Sequence, residues 1–132
     1  AWGTVGADER SHRFLLHREK LFGMKGGYYA VIFTSRRTPE DEPGYADMAE
    51  RMYDLAAKQP GFISVEHARE AVGITVSYWE TLESIAQWKD QTDHLMAQQQ
   101  GRTRWYESYR IRICRVEREY EFHKPDFPAQ GL

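Results

Sequence analysis

The chain has 132 residues, of which 41% are hydrophobic and 29% charged, and its formal net charge is -2. This length fits one domain with a core of its own, and the small charge provides no field to attract nucleic acid or an acidic membrane. One cysteine, Cys114, excludes an internal disulfide, and with five scattered histidines it argues against a structural zinc site. No apolar run is long enough to cross a membrane, and no signal-peptide pattern begins the chain, so we expect a soluble cytoplasmic protein.

Residues 1–25 are predicted to form an N-terminal arm or extension. Ser11 can cap a short helix that carries Phe14, Leu15, Leu21 and Phe22. Because Met24 lies just before the first strong strand pattern, the arm is expected to add little to the core fold.

Residues 26–122 carry the pattern of an α+β domain. The run YYAVIFTSR from Tyr28 is rich in β-branched and aromatic residues and predicts a buried strand. Apolar residues at helical spacing from position 45 to 56 predict a helix that Pro60 and Gly61 end. The runs GFISVEHAR and GITVSYW then predict an antiparallel hairpin.

The second half of the domain predicts one more helix and one more strand. Thr81 can cap the helix, which is expected to break near residues 91–92, to restart at Asp93 and to end at Gly101. The run ESYRIRICRVEREYEF predicts a long last strand, and residues 123–132, with two prolines, an irregular tail.

The element order βαββαβ predicts the ferredoxin-like fold, in which a four-stranded antiparallel sheet carries helices on one face. Its other face would leave an apolar patch on a monomer, which predicts a homodimer. Arginines crowd the last strand and raise an RNA-binding alternative. Neighbouring glutamates cancel their charge and the aromatic RNA-recognition pattern is absent, so we predict no nucleic-acid partner.

Four segments in this order, KQPGFISVEHAR, GITVSYWETLESIAQWK, DHLMAQQQGRTRWYESY and RVER, resemble the antibiotic biosynthesis monooxygenase (ABM) domain. The resemblance covers roughly residues 28–122. It implies a ferredoxin-like protomer that pairs into a dimeric α+β barrel and keeps a pocket between sheet and helices. It also implies one of two activities: cofactor-independent oxygenation of phenols and quinols, or oxidative haem degradation.

The sequence departs from that family in the pocket residues. Trp88 matches the family's helix tryptophan, but Gln98 occupies the position of the iron-ligating histidine of the haem-degrading members, and the chain contains no asparagine. Glutamine is a poor iron ligand, which makes haem degradation the weaker alternative. The resemblance implies a cofactor-independent monooxygenase for a small phenol- or quinol-type substrate. The missing asparagine leaves open a non-catalytic, small-molecule-binding or stress-related dimer.

His94 is the predicted catalytic residue. It follows Asp93 at the expected start of a helix, where the dipole would hold the imidazole neutral and able to act as a general base. Trp88 offers either a flat wall for an aromatic ligand or cover for the core edge. The predicted substrate-binding residues are Trp88, Trp105, Gln98 and Tyr78, and no cofactor or metal is expected.

Overall fold

The described part of the chain forms five strands and three helices. A computed structural model describes residues 27–98 and 101–125 and, of the preceding arm, the backbone of residues 12–16. The rest of the predicted arm, and residues 126–132 of the predicted tail, lie outside the described residues. The elements are β1 (His12–Leu16), β2 (Tyr28–Arg37), α1 (Glu42–Ala57), β3 (Phe62–Arg69), β4 (Gly73–Trp79), α2 (Leu82–Gln98), α3 (Gly101–Trp105) and β5 (Tyr106–Val116).

One antiparallel sheet has the strand order β1-β3-β4-β2-β5. Its four strands β3, β4, β2 and β5, with α1 and α2 in the crossovers, make the predicted ferredoxin-like βαββαβ arrangement, and that prediction is confirmed.

Strand β1 was not predicted. Residues His12–Leu16 pair with β3 in antiparallel register, so the prediction of a helix over this segment was wrong. The edge of β3 exposes a row of backbone donors and acceptors, and a short segment gains more by pairing with them than by forming an isolated helical turn. The arm therefore adds a fifth strand to the sheet, whereas Leu21 and Phe22 of the predicted helix lie outside the described residues.

Helix α1 has well-defined ends. Asp41, at a φ of 52°, precedes the helix, and its Oδ1 accepts a hydrogen bond from the Gly44 amide at 3.3 Å. Beyond the helix, Gly61 adopts a φ of 82°, and a Cβ there would lie 2.1 Å from the Ser84 hydroxyl. Only glycine combines a positive φ with the absence of a Cβ that would collide with Ser84. The helix therefore ends before Gly61, as the sequence predicts.

Helix α2 begins as predicted but does not break. The Ser84 amide donates to the Thr81 hydroxyl at 3.0 Å, which is the predicted cap. The helix then runs without interruption to Gln98, so the break predicted near residues 91–92 was wrong. Lys89 and Asp93 are one helical turn apart, and the ion pair between Lys89 Nζ and the Asp93 carboxylate, at 2.6 Å, stabilises the helix across this point.

Helix α3 and strand β5 also differ from the prediction. Gly101 begins α3 instead of ending α2. A Cβ at Gly101 would lie 2.7 Å from the ring of Trp105, so glycine allows the turn to close on that ring. Strand β5 ends at Val116 and not near residue 122, because Val116 is paired with Tyr28, the first residue of β2, and the neighbouring strand begins there.

The core lies between the sheet and the two long helices. Ala56 of α1 and Ile85 of α2 pack with Phe62, Val65 and Trp79 of the sheet in one buried cluster. Both helices therefore cover the same sheet face, as predicted. Side chains alternate along strands, so the opposite face carries the other set of residues, which includes Ile32, Ile74, Val76 and Tyr78.

Candidate functional site

A cavity of about 200 Å³ lies between the helix-covered face of the sheet and the helices. Its walls are mostly apolar. Val31 and Phe33 of β2 form part of the sheet wall, and Ile85 and Met96 of α2 face them. An apolar cavity of about 150 Å³ is large enough to bind benzene, so this one can hold a small ring system. Ile111 and Ile113 of β5 line the same space and are 41% and 49% exposed, so the cavity opens to solvent along β5.

His67 is the histidine that lines this cavity. It lies on β3 two residues after Val65, so strand alternation places both side chains on the helix-covered face. Its Nδ1 lies 2.8 Å from the Thr75 hydroxyl on the neighbouring strand. The ring of Tyr53 from α1 meets the imidazole edge-on, with centroids 5.9 Å apart. Contacts from a strand and a helix thus fix the orientation of a titratable group inside an apolar cavity.

Trp88 forms an aromatic part of the cavity wall. Its indole stacks on that of Trp79, with centroids 6.1 Å apart and planes at 30°. Trp79 is fully buried, and its Nε1 donates to the Ser77 hydroxyl at 2.9 Å. A ring held from behind by a fixed tryptophan presents a rigid flat surface to the cavity.

Tyrosines from α1 and β5 close one end of the cavity. Tyr45 and Tyr106 both line it and meet edge-on, with centroids 5.9 Å apart. Burial, together with the hydrogen bond and charge interaction with Tyr45, raises the pKa of Tyr106 well above its usual range. The Arg37 guanidinium lies 3.7 Å from the centre of the Tyr45 ring. This end of the cavity is therefore lined by two phenol rings, one of which packs against a guanidinium.

A polar cluster lines the cavity where α2, α3 and β5 meet. The Asp93 carboxylate contacts both Lys89 Nζ at 2.6 Å and Arg102 Nη2 at 3.3 Å. Arg102 Nε also donates to the Tyr109 hydroxyl at 2.6 Å. The hydrogen bond to Asp93 raises the pKa of the Lys89 ammonium, so this group stays charged near neutral pH.

Neither a metal cluster nor a membrane-spanning helix occurs in the part of the chain that the structure describes. Within residues 27–98 and 101–125, no three histidine, cysteine, aspartate or glutamate side chains are grouped so as to hold a metal ion. None of the helices in these ranges is both long and apolar enough to cross a membrane.

Comparison with known proteins places the chain in a family. Over 99 residues it is 50% identical to the uncharacterized protein YqjZ of Bacillus subtilis, an alignment that covers 74% of this chain and 86% of that protein. The chain belongs to the YqjZ family. It is also 29% identical over 92 residues to jasmonate monooxygenase ABM of Pyricularia oryzae, covering 67% of this chain and 43% of that protein. No family model matches the sequence.

In this member of the YqjZ family, the predicted base does not reach the cavity. His94 is exposed on α2, and its Nε2 lies 3.2 Å from the side-chain nitrogen of Gln98, which is also exposed. Neither residue is among those that line the cavity. Because α2 continues through Asp93, His94 lies inside the helix, so the prediction that it stands at a helix N-terminus was wrong.

Two further predicted binding residues also lie away from the cavity, which leaves Trp88 as the predicted site residue that lines it. Trp105 is 1% exposed and fills the corner behind α1, where its Nε1 donates to the Asp41 carboxylate at 3.2 Å. Tyr78 lies on the other face of the sheet and donates to the Glu66 carboxylate at 3.1 Å. Sequence reasoning missed His67, although its alternation with Val65 could have identified it.

Proposed function

We propose that the protein is a cofactor-independent monooxygenase that acts on a small, largely apolar substrate of the phenol or quinol type. The observation that carries this proposal is the imidazole of His67, which is oriented by Thr75 in a cavity with apolar walls. The monooxygenase name of the 29% identical relative and the ABM-like segments of the sequence support the same reaction class.

His67 would act as the general base. A neutral imidazole can accept a proton from the substrate, and the contact between Nδ1 and the Thr75 hydroxyl fixes the orientation of the ring. Removal of that proton leaves an electron-rich anion that reduces O₂. For a benzylic methylene, one oxygen atom becomes the new carbonyl and the other leaves as water, so atoms and electrons balance without an added reductant. Apolar walls keep bulk water away from the anion while it reacts.

Trp88 would hold the substrate ring. Its indole lines the cavity and is backed by Trp79, so a bound ring can stack against it without moving the wall. In this proposal Trp88 binds and orients the substrate and His67 performs the proton transfer.

Oxygen uptake with a panel of small anthrones and hydroquinones tests the proposal. The unchanged protein should accelerate uptake, and His67→Gln should lower the rate about 100-fold, the effect expected for loss of a general base. His94→Gln is the matched control, because His94 is exposed outside the cavity, and it should leave the rate unchanged. Saturable binding of these compounds with no uptake would instead support a non-catalytic binding protein.

We further propose that the protein is a homodimer. The sheet face opposite the helices carries the half-buried Ile32, Ile74 and Val76, and a second copy can cover this face. A two-fold axis would then place the same face of each protomer against the other.

A further inference from the structure

The polar cluster at the open side of the cavity carries an excess of positive charge. Lys89 and Arg102 are both cationic, and they share the single carboxylate of Asp93. Their side chains are 55% and 59% exposed, so an incoming ligand can reach them. The three groups therefore leave a net charge of about +1 beside an otherwise apolar cavity, from two cations and one anion.

The cluster also has hydrogen-bond donors to spare. Arg102 has five N–H groups, and its described contacts use Nε on Tyr109 and Nη2 on Asp93. Lys89 has three N–H groups, and its described contact uses one of them on Asp93. Tyr109 accepts from Arg102, so its own O–H remains able to donate. Several donors from three elements thus converge where the cavity meets solvent, which suits an anionic oxygen.

The cluster lies far from His67 across the sheet. His67 pairs with Thr75, Thr75 with Phe33, and Phe33 with Ile111, so three strand spacings separate β3 from β5. At about 4.8 Å for each spacing, the backbones of β3 and β5 lie about 14 Å apart. Tyr109 lies on β5, where its ring stacks on Phe33 with centroids 5.3 Å apart. A ligand that reaches both His67 and this cluster must carry its polar group at the end opposite its reacting carbon.

We propose that the cavity takes small amphipathic anions, with the apolar body between the sheet and the helices and a carboxylate bound by Arg102, Lys89 and Tyr109. This inference rests on the proposed function where it places the reacting carbon near His67. Binding of the anion depends only on the cluster and the apolar cavity. Anion binding by the cluster and the monooxygenase reaction at His67 can therefore be tested independently.

A matched pair of probes tests the carboxylate preference. The acid 4-phenylbutyrate and the neutral amide 4-phenylbutanamide have nearly the same shape, and their affinities can be measured by isothermal titration calorimetry at low salt. We expect the acid to bind about tenfold more tightly, as is typical of charge-assisted hydrogen bonds, and its affinity to fall as salt is added. Equal affinities, or no binding of either probe, would overturn the proposal.

Two substitutions of opposite effect locate the site. Arg102→Gln should weaken binding of the acid about tenfold and leave the amide unchanged. Asp93→Asn removes the competing carboxylate and should tighten binding of the acid. Arg104→Gln is the matched control, because Arg104 lies on the same short helix and contacts Asp41, away from the cavity lining. If Arg104→Gln weakens the acid as much as Arg102→Gln, the effect is one of overall charge and the assignment is wrong.

A final variant separates this inference from the monooxygenase proposal. His67→Gln should lower oxygen uptake about 100-fold and keep the preference for the acid over the amide. If the protein binds the acid more tightly than the amide but consumes no oxygen with any substrate, the proposed monooxygenase reaction is wrong and the proposed anion site is supported. If uptake occurs but neutral and anionic substrates are used equally well, the anion site is wrong and the reaction stands.

Discussion

Trp88 stacks on Trp79 with ring centroids 6.1 Å apart. The two residues have different roles, because Trp79 is 0% exposed and packs in the core, whereas Trp88 borders the cavity. We predict that Trp79→Ala lowers the free energy of unfolding by about 3–5 kcal/mol, since it leaves a large void in the core and removes the donor to the Ser77 hydroxyl. Trp88→Ala removes a ring that already faces space, and its cost should be about 1 kcal/mol.

Urea unfolding followed by far-ultraviolet circular dichroism measures both costs. The same two variants should rank in the opposite order for ligands, with Trp88→Ala losing binding of aromatic probes at temperatures where it remains folded. Equal losses of stability would mean that Trp88 is a core residue and not a wall of the site.

Thr75 offers a second test, directed at the orientation of His67. Thr75→Val keeps the shape of the side chain but removes the hydroxyl that contacts His67 Nδ1 at 2.8 Å. If His67 is the base, the maximal rate of oxygen uptake should fall about tenfold and its pH profile should shift, because the imidazole loses the partner that selects its tautomer. Substrate affinity should change little.

Thr75→Ser is the control for this variant. It retains the hydroxyl and should keep most of the rate. A Thr75→Val protein that reacts at the unchanged rate would show that the contact does not orient the base.

The fold was predictable because local signals agreed with one another. Alternation gave strands β2 to β5, helical spacing gave α1, and Gly61, whose φ of 82° admits few other residues, marked the end of that helix. Strand β1 was not predictable in the same way. It is stabilised by pairing with the edge of β3, and backbone pairing with a distant strand leaves no pattern in five residues.

The site was harder to predict than the fold. His94 is the base predicted from the sequence because Asp93 before it can cap a restarted helix, but the ion pair between Lys89 and Asp93 spans that point within one continuous helix. His67 lies in a run that predicts an ordinary strand. Its alternation with Val65 places both side chains on the same face of the sheet, and both line the cavity. Which of several titratable residues meets the cavity depends on how helices sit over the sheet, and that is a tertiary property.

Two tyrosines with raised pKa values should make the fold sensitive to alkali. Burial, with Glu119 close by, raises the pKa of Tyr28, and burial with Glu66 raises that of Tyr78, both well above the ordinary value of 10.0. In the unfolded chain these phenols ionise near pH 10, whereas in the folded protein they stay protonated to higher pH. The stability they contribute is therefore complete below pH 10 and is lost as pH rises from there towards the folded-state pKa values.

Unfolding free energies measured at about pH 8 and about pH 11 should show this loss. Tyr78→Phe removes one ionising group and should reduce the decline between the two pH values. Tyr120→Phe is the matched control, because Tyr120 is 87% exposed and its replacement should leave the decline unaltered. A decline of the same size in Tyr78→Phe would place the alkaline sensitivity elsewhere.

The open sheet face gives the last prediction, which concerns assembly. Ile32 lies on that face, paired with Val76 on one side and Arg112 on the other, while Ile113 lies on the helix-covered face of the same sheet. If a second copy covers the open face, sedimentation at about 10 µM should show a dimer, with an interface on the order of 2,000 Å². Ile32→Glu buries a carboxylate in that interface, where the cost of desolvating it exceeds the attraction of the neighbouring Arg112, so this variant should be a monomer.

Ile113→Glu is the control for the same strand pair. It introduces the same charge on the face that the helices cover, at a side chain already 49% exposed, so it should leave the dimer intact. Dimers in the control and monomers in Ile32→Glu would assign the contact to the open face. A stable monomer of the unchanged protein would instead mean that this face needs no second copy, and the pairing of the two sheets would have to be abandoned.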